Sequence, residues 1–163
     1  MRPAEIIVTH QSTDFDALGA MLAARRLYPQ AQVVLHGGLN RNVREFVALH
    51  ETQLGLADAS RCDLSAVKRV IVVETSDLSR LGDLAEVARR DGVETLLFDH
   101  HGEVVPDWSD RAHSVLSSDG ALATTLVAIL AERGIEPTPA EATALALGIH
   151  EDTGSLTYVS TTL

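Results

Sequence analysis

The sequence predicts an α/β fold, doubly wound, with a mostly parallel central sheet and helices on both faces. Near-continuous apolar runs alternate with segments whose apolar residues recur at helical spacing, the pattern of a parallel sheet covered on both sides. Those helical segments run about ten to fifteen residues, long enough for crossover connections. Acids and imidazoles recur where the apolar runs end, and ligands bind beyond the carboxyl ends of strands in such sheets.

Each element follows from local chemistry. Glu5-Ile-Ile-Val-Thr9 reads as a buried strand, and Asp14 to Tyr28 repeats Ala, Leu and Met at helical spacing until Pro29. Ala31 to His36 is a second strand, Gly37-Gly38 a turn, and Asn42 to about Gln53 a helix with Val43, Phe46, Val47 and His50 on one side. Lys68 to Glu74 is rich in β-branched residues and charged only near its ends, which predicts a strand. Gly82 to Arg90 follows as a short helix stopped by Asp91-Gly92, and Glu94 to Phe98 is another strand. An irregular stretch with Pro106 and Trp108 leads to a weaker strand near His113 to Leu116. Ala121 to Glu132 is helical and closes at Gly134. Thr138 is the expected N-cap and Pro139 the first-turn residue of a last helix.

With 163 residues and 45% hydrophobic content, the chain suits one domain with a continuous core, residues 1–163. A formal net charge of −10 argues against gripping nucleic acid by phosphate neutralisation, although bound cations would change that. Aromatic residues make up 4% and none pairs with basic residues, so no base-stacking platform is visible. The single cysteine, Cys62, excludes an internal disulfide and a Cys-rich zinc site, which fits a reducing compartment. The start of the chain lacks a signal-peptide core, and no run nears the roughly 18 apolar residues of a membrane span. A cytoplasmic protein without membrane attachment is expected.

Four clusters carry metal-binding residue types. His10-Gln-Ser-Thr-Asp14-Phe-Asp16 and Asp99-His100-His101 each follow an apolar run, and carboxylates with neutral imidazoles suit Mn²⁺, Mg²⁺, Fe²⁺ or Zn²⁺. Asp14 could alternatively cap the helix it precedes, and Asp16 could favour that helix's positive end. Asp152, in Ile149-His-Glu-Asp152-Thr-Gly154, is a further candidate ligand. Glu151 reads as a solvated neighbour, His150 as an ordinary helix-end histidine, and Gly154 as a turn with positive φ. In Glu74-Thr-Ser-Asp77, Glu74 is the better-placed bridge between two cations. Asp77 either caps the next turn or supports a ligand from behind.

Taken in order, Thr9 to Ala20, Val73-Glu-Thr-Ser-Asp77, Asp99-His-His101 and Gly148-Ile-His-Glu-Asp-Thr-Gly154 resemble the four motifs of the DHH phosphoesterase superfamily. The resemblance runs from about residue 5 to 160. It implies that His10, Asp14, Asp16, Glu74, His100 and Asp152 hold two Mn²⁺ ions, with Mg²⁺ or Co²⁺ as substitutes. His101 would then approach the scissile phosphate while Asp99 supports the ligands from behind. One departure stands out: the family usually has Asp where this chain has Glu74, and the added methylene moves the carboxylate outward by about one C–C bond. Thr13 to Ala17 with Asn42-Val-Arg-Glu-Phe46 further resembles the amino-terminal DHH module of large bacterial proteins carrying CBS domains and a tRNA nucleotidyltransferase or poly(A) polymerase module. In that setting Arg41 and Arg44 would be phosphate or partner contacts, or else a solvated helix face.

The implied activity is two-metal hydrolysis of phosphodiester or phosphoanhydride bonds in a nucleotide or short RNA or DNA. Its rivals are a catalytically weak nucleotide- or RNA-binding module that regulates an attached polymerase and a manganese-dependent pyrophosphatase. Catalytic members add a second, substrate-closing domain with no counterpart in this sequence, so further domains of a longer polypeptide are expected as partners. Self-association is left open.

Overall fold

The structure is a computed structural model describing residues 1–102, 104–111, 113–159 and 161. In chain order its strands are β1 (Glu5–Val8), β2 (Ser12–Thr13), β3 (Gln32–Leu35), β4 (Gly38–Leu39), β5 (Ala57–Asp58), β6 (Arg69–Val73), β7 (Glu94–Asp99) and β8 (Val115–Leu116). The helices are α1 (Phe15–Leu27), α2 (Arg41–Leu49), α3 (Glu51–Leu54), α4 (Leu84–Ala88), α5 (Leu122–Glu132) and α6 (Pro139–Asp152).

Six strands make one parallel sheet in the order β5-β3-β1-β6-β7-β8. The chain runs outward from β1 through β3 to β5, then returns to the opposite side of β1 as β6. That reversal leaves a crevice beyond the carboxyl end of β1, where open α/β sheets bind ligands.

Alternate residues face alternate layers, as the pleat requires. Ile7, Val33, Ile71, Val73, Leu96 and Phe98 pack under α1, α5 and α6. Ile6, Val8, Val34, Val70, Val72 and Leu97 face the other way, toward α4 and the single-turn 3-10 helix Leu78–Leu81. Both faces are apolar because both are covered, which is why the strands read as continuous runs. A third cluster joins α1 to α2 and α6 through Phe15, Leu18, Leu22, Val43, Phe46 and Ala144.

Thr138 caps α6 by accepting from the Glu141 N–H, and Glu141 in return accepts from the Thr138 N–H at 2.8 Å. The same Glu141, nearly buried, accepts from Arg25 at 2.9 Å and from Arg26 at 2.8 Å, pinning the end of α1 to the start of α6. Replacing Thr138 with Ala should cost about 1 kcal/mol, read as a lower urea midpoint with an unchanged m-value.

Three details depart from the sequence reading. The helix expected over residues 42–53 breaks at His50, whose N–H bonds back to Phe46 and Val47 while its ring sits 4.5 Å from that of Phe46. Gly37-Gly38 does more than turn: β4 pairs with β2 in a small parallel ladder. Finally, the edge strand β5 spans two residues, too few for any periodic signal.

Candidate metal centre

Three strand ends and one helix end deliver the side chains. His10 lies two residues beyond β1, Glu74 immediately follows β6, His100 immediately follows β7, and Asp152 ends α6. Asp14 caps α1 by accepting from the Ala17 N–H at 2.9 Å, which puts Asp16 in the first turn. Asp16, fully buried, then reaches another helix, accepting from the Leu122 and Ala123 N–H groups at 2.7 and 2.8 Å. The Ala121 N-cap has no side-chain cap of its own, so Asp16 satisfies the α5 N-terminus. Asp14 thus caps the helix it precedes, whereas Asp16 serves α5 rather than the positive end of its own helix, and each keeps carboxylate lone pairs free.

Asp16 joins two further acids around His100. Its Nδ1–H donates to the Asp119 carbonyl at 2.9 Å, leaving Nε2 as the inward atom. Around Nε2 stand Glu74 Oε1 at 2.9 Å, Asp152 Oδ2 at 3.5 Å and Asp16 Oδ2 at 3.8 Å. Ligand atoms of Asp16, Glu74, His100 and Asp152 all lie within 4.8 Å of one another. His10 and Asp14 form an adjoining pair, Nε2 to Oδ2 3.8 Å.

Glu74 enters this cluster by an unusual route. Its φ is +67°, a left-handed conformation that costs a side-chain-bearing residue about 1–3 kcal/mol. The Glu74 N–H nonetheless bonds the Phe98 carbonyl at 2.9 Å, so the turn is anchored. Glu74 Oε2 and Asp99 Oδ2 are buried without a hydrogen-bond partner among the described residues. An orphaned carboxylate oxygen beside two more acids and an imidazole nitrogen suits a divalent cation, which would offset the charge and fill the missing contact.

Asp99 Oδ1 organises the next residues, accepting from the His100 and His101 N–H groups at 2.9 and 3.2 Å and from His101 Nδ1 at 3.0 Å. The hydrogen bond to Asp99 raises the His101 pKa, against burial, and half of the ring remains exposed.

Other expectations resolve on the partners observed. Asp77 caps the 3-10 helix Leu78–Leu81 by accepting from the Ser79 N–H at 2.9 Å, the first of its two readings. Arg41 pairs with Glu45 at 3.1 Å, and Arg44 donates to the Leu39 carbonyl at 3.0 Å, so both lie along an exposed helix face. Glu151 is exposed, as expected of a solvated neighbour, and in addition accepts from the Phe15 N–H at 2.8 Å, tying the end of α6 to the start of α1. Gly154 has the expected positive φ, +55°. Sequence reading missed the Asp119 carbonyl and His36, whose Nε2 lies 2.5 Å from the Thr9 carbonyl just before His10. The Asp119-Gly120 turn signal was visible, but nothing local marks its carbonyl as the partner that orients His100.

Three protonation shifts follow from crowding. Burial, then repulsion from Asp16 and Asp14, pushes Asp152 up to about 6. Burial also raises Glu74, against the opposing His100 hydrogen bond, while that bond raises His100 although burial works against it. Each group holds its proton more tightly folded than unfolded, so its stabilising contribution is present below its ordinary value and is lost as pH rises through the raised one. The metal-free chain should therefore melt at a lower temperature at pH 8 than at pH 6. Added Mn²⁺ should restore stability more at pH 8, with affinity rising up to about tenfold per pH unit for each proton displaced. Melting curves in EDTA and in Mn²⁺ at both pH values check this; a shift independent of pH would contradict it.

Residues 5–149 match the N-terminal domain of the DHH family. Similarity extends to the A-adding tRNA nucleotidyltransferase of Geobacter sulfurreducens, 40% identical over 163 residues, covering 97% of this chain and 18% of that protein. The A-adding tRNA nucleotidyltransferase of Aquifex aeolicus is 28% identical over 161 residues, again covering 97% of this chain and 18% of its own length. An exopolyphosphatase-related protein from Bacteroides fragilis shares the fold, with a TM-score of 0.77 at 17% identity over 98% of this chain and 49% of that one. No helix among the described residues is long and apolar enough to cross a membrane.

Proposed function

Because the chain belongs to the DHH family, we propose that it is a two-metal phosphoesterase domain, hydrolysing phosphodiester or phosphoanhydride bonds of a nucleotide or short oligonucleotide. One observation carries this reading: His100 Nε2 meets three carboxylates from three separate parts of the chain, and Glu74 Oε2 is buried without a hydrogen-bond partner among the described residues. Asp16, Glu74, His100 and Asp152 would hold one side of the metal pair, with His10 and Asp14 beside them. Mn²⁺ is the proposed cation, with Mg²⁺ or Co²⁺ as substitutes. Bound there, such cations would supply Lewis acidity, lowering the pKa of water and offsetting phosphate charge.

The chain's own groups do the rest. Asp99 fixes the His101 ring and raises its pKa, favouring the protonated form, so that His101 can face a phosphate oxygen as a cation and deliver a proton to the leaving oxygen. The Asp119 carbonyl fixes the His100 tautomer. The domain is proposed to work within a longer protein of the tRNA nucleotidyltransferase kind, since the chain spans 18% of each relative's length.

A second reading, a nucleotide- or RNA-binding module with little hydrolysis, is favoured by Asp16, both of whose oxygens already serve the α5 N-terminus. Elemental analysis after Mn²⁺ titration, followed by assays on short oligoribonucleotides, dinucleotides and pyrophosphate, separates the two. Two bound ions with hydrolysis of an oligonucleotide or dinucleotide support the phosphoesterase; stoichiometric metal with no turnover supports the binding module.

A further inference from the structure

A hollow of about 690 Å³ opens beyond the carboxyl ends of β3 and β5, under α2. That volume is in the range of small-molecule sites. Its walls are aliphatic side chains left half-buried where the core clusters fray: Leu35, Leu39, Val47 and Leu56. At its mouth stand two guanidiniums, Arg44 and Arg61, in a chain whose net charge is −10. Arg44 commits one amino group to the Leu39 carbonyl, and the Arg61 guanidinium makes no hydrogen bond among the described residues. Two carboxylates, Glu51 and Asp58, complete the polar rim.

We propose that this hollow binds a nucleoside monophosphate. An apolar wall suits the flat face of a base, the carboxylates can accept from ribose hydroxyls or an exocyclic amine, and guanidinium N–H groups recognise phosphate by paired, charge-assisted hydrogen bonds. A free acid lacking a ring would leave the aliphatic walls wet, and inorganic phosphate would leave them empty. The hollow is tied to the segment that carries His10: His36, in its lining, contacts the carbonyl of Thr9, the residue just before His10. Binding here needs no metal and goes beyond the hydrolytic reading, standing or falling separately from it.

Cys62, the only cysteine, lines the same hollow, which makes its alkylation a direct report of occupancy. The test follows the rate of Cys62 modification by N-ethylmaleimide in the EDTA-treated 163-residue chain, with AMP, adenosine, ribose 5-phosphate or inorganic phosphate added. AMP should slow modification several-fold and saturably, adenosine and ribose 5-phosphate less, phosphate not at all. Arg61→Glu should weaken AMP protection about tenfold, the loss of one charge-assisted contact. Ala48→Trp, at an exposed α2 position lining the hollow, should abolish protection while leaving the circular dichroism spectrum unchanged. His100→Ala, lying outside the hollow, should leave AMP protection intact even where hydrolysis fails. No protection at millimolar AMP, protection by phosphate alone, or AMP protection unmoved by both Arg61→Glu and Ala48→Trp would overturn the proposal.

Discussion

His100→Ala, Asp152→Ala and Asp14→Asn should each lose Mn²⁺ and turnover together, His100→Ala most severely, with affinity down about 100-fold or more. The figure is set against the 10- to 100-fold typical of residues that only support a ligand. Removing the imidazole takes away the atom on which Glu74, Asp152 and Asp16 converge, leaving carboxylates to repel one another. Asp14→Asn is chosen over Ala because an amide oxygen can still cap α1, which keeps a loss of metal distinct from the loss of a cap. Isothermal titration with Mn²⁺, paired with steady-state hydrolysis of a short oligoribonucleotide, reads both quantities. Retention of full Mn²⁺ affinity by all three variants would end the two-metal reading.

Much of the fold was legible because a parallel sheet covered on both faces has a strong signature. Ile6-Ile7-Val8 and Val70 to Val73 are fully buried, and each could be read as a strand without knowing its neighbours. The cap of α6 was also local: Thr138 followed by Pro139 announces a helix start whatever packs against it, while the answering Glu141 contact came from the structure. What escaped reading was non-local. Asp16 looks like a first-turn acid of its own helix, yet it caps α5 more than 100 residues away along the chain, |i−j| being 106 and 107. Glu151 similarly caps α1 across 136 residues.

The candidate site shows the same division. His10, Glu74, His100 and Asp152 could be placed at element ends by pattern alone, and the structure brings three of these four into one cluster with Asp16. The left-handed turn at Glu74 had no sequence signal, since only Gly, Asn and Asp visit that region readily. It bears on the unusual residue itself. The longer side chain does not carry the carboxylate out of reach; after the turn, Oε1 lies 2.9 Å from His100 Nε2.

Gly148→Ala should cost about 1–3 kcal/mol and weaken Mn²⁺ binding about tenfold or more, although the residue offers no ligand atom. A Cβ at position 148 would stand 2.7 Å from Asp16 Cα, 2.9 Å from the Phe15 carbonyl oxygen and 3.0 Å from the Asp16 nitrogen. All three are backbone atoms, so no side chain can rotate aside and α6 must back away from the start of α1. Asp152 lies four residues on, along the same face of α6, and Glu151 holds the Phe15 N–H. Withdrawal would therefore part Asp152 from Asp16 and His100 and loosen the cap at once. The sign is diagnostic, because Gly→Ala inside an unobstructed helix stabilises by about 0.5–1 kcal/mol. Ala146→Gly, at an exposed position of the same helix, supplies the control: it should cost a similar propensity increment and leave Mn²⁺ affinity unchanged. Urea unfolding with Mn²⁺ titration of both variants decides the matter, and a more stable Gly148→Ala chain with undiminished affinity would show that the close approach of α6 to α1 does not set the geometry of the cluster.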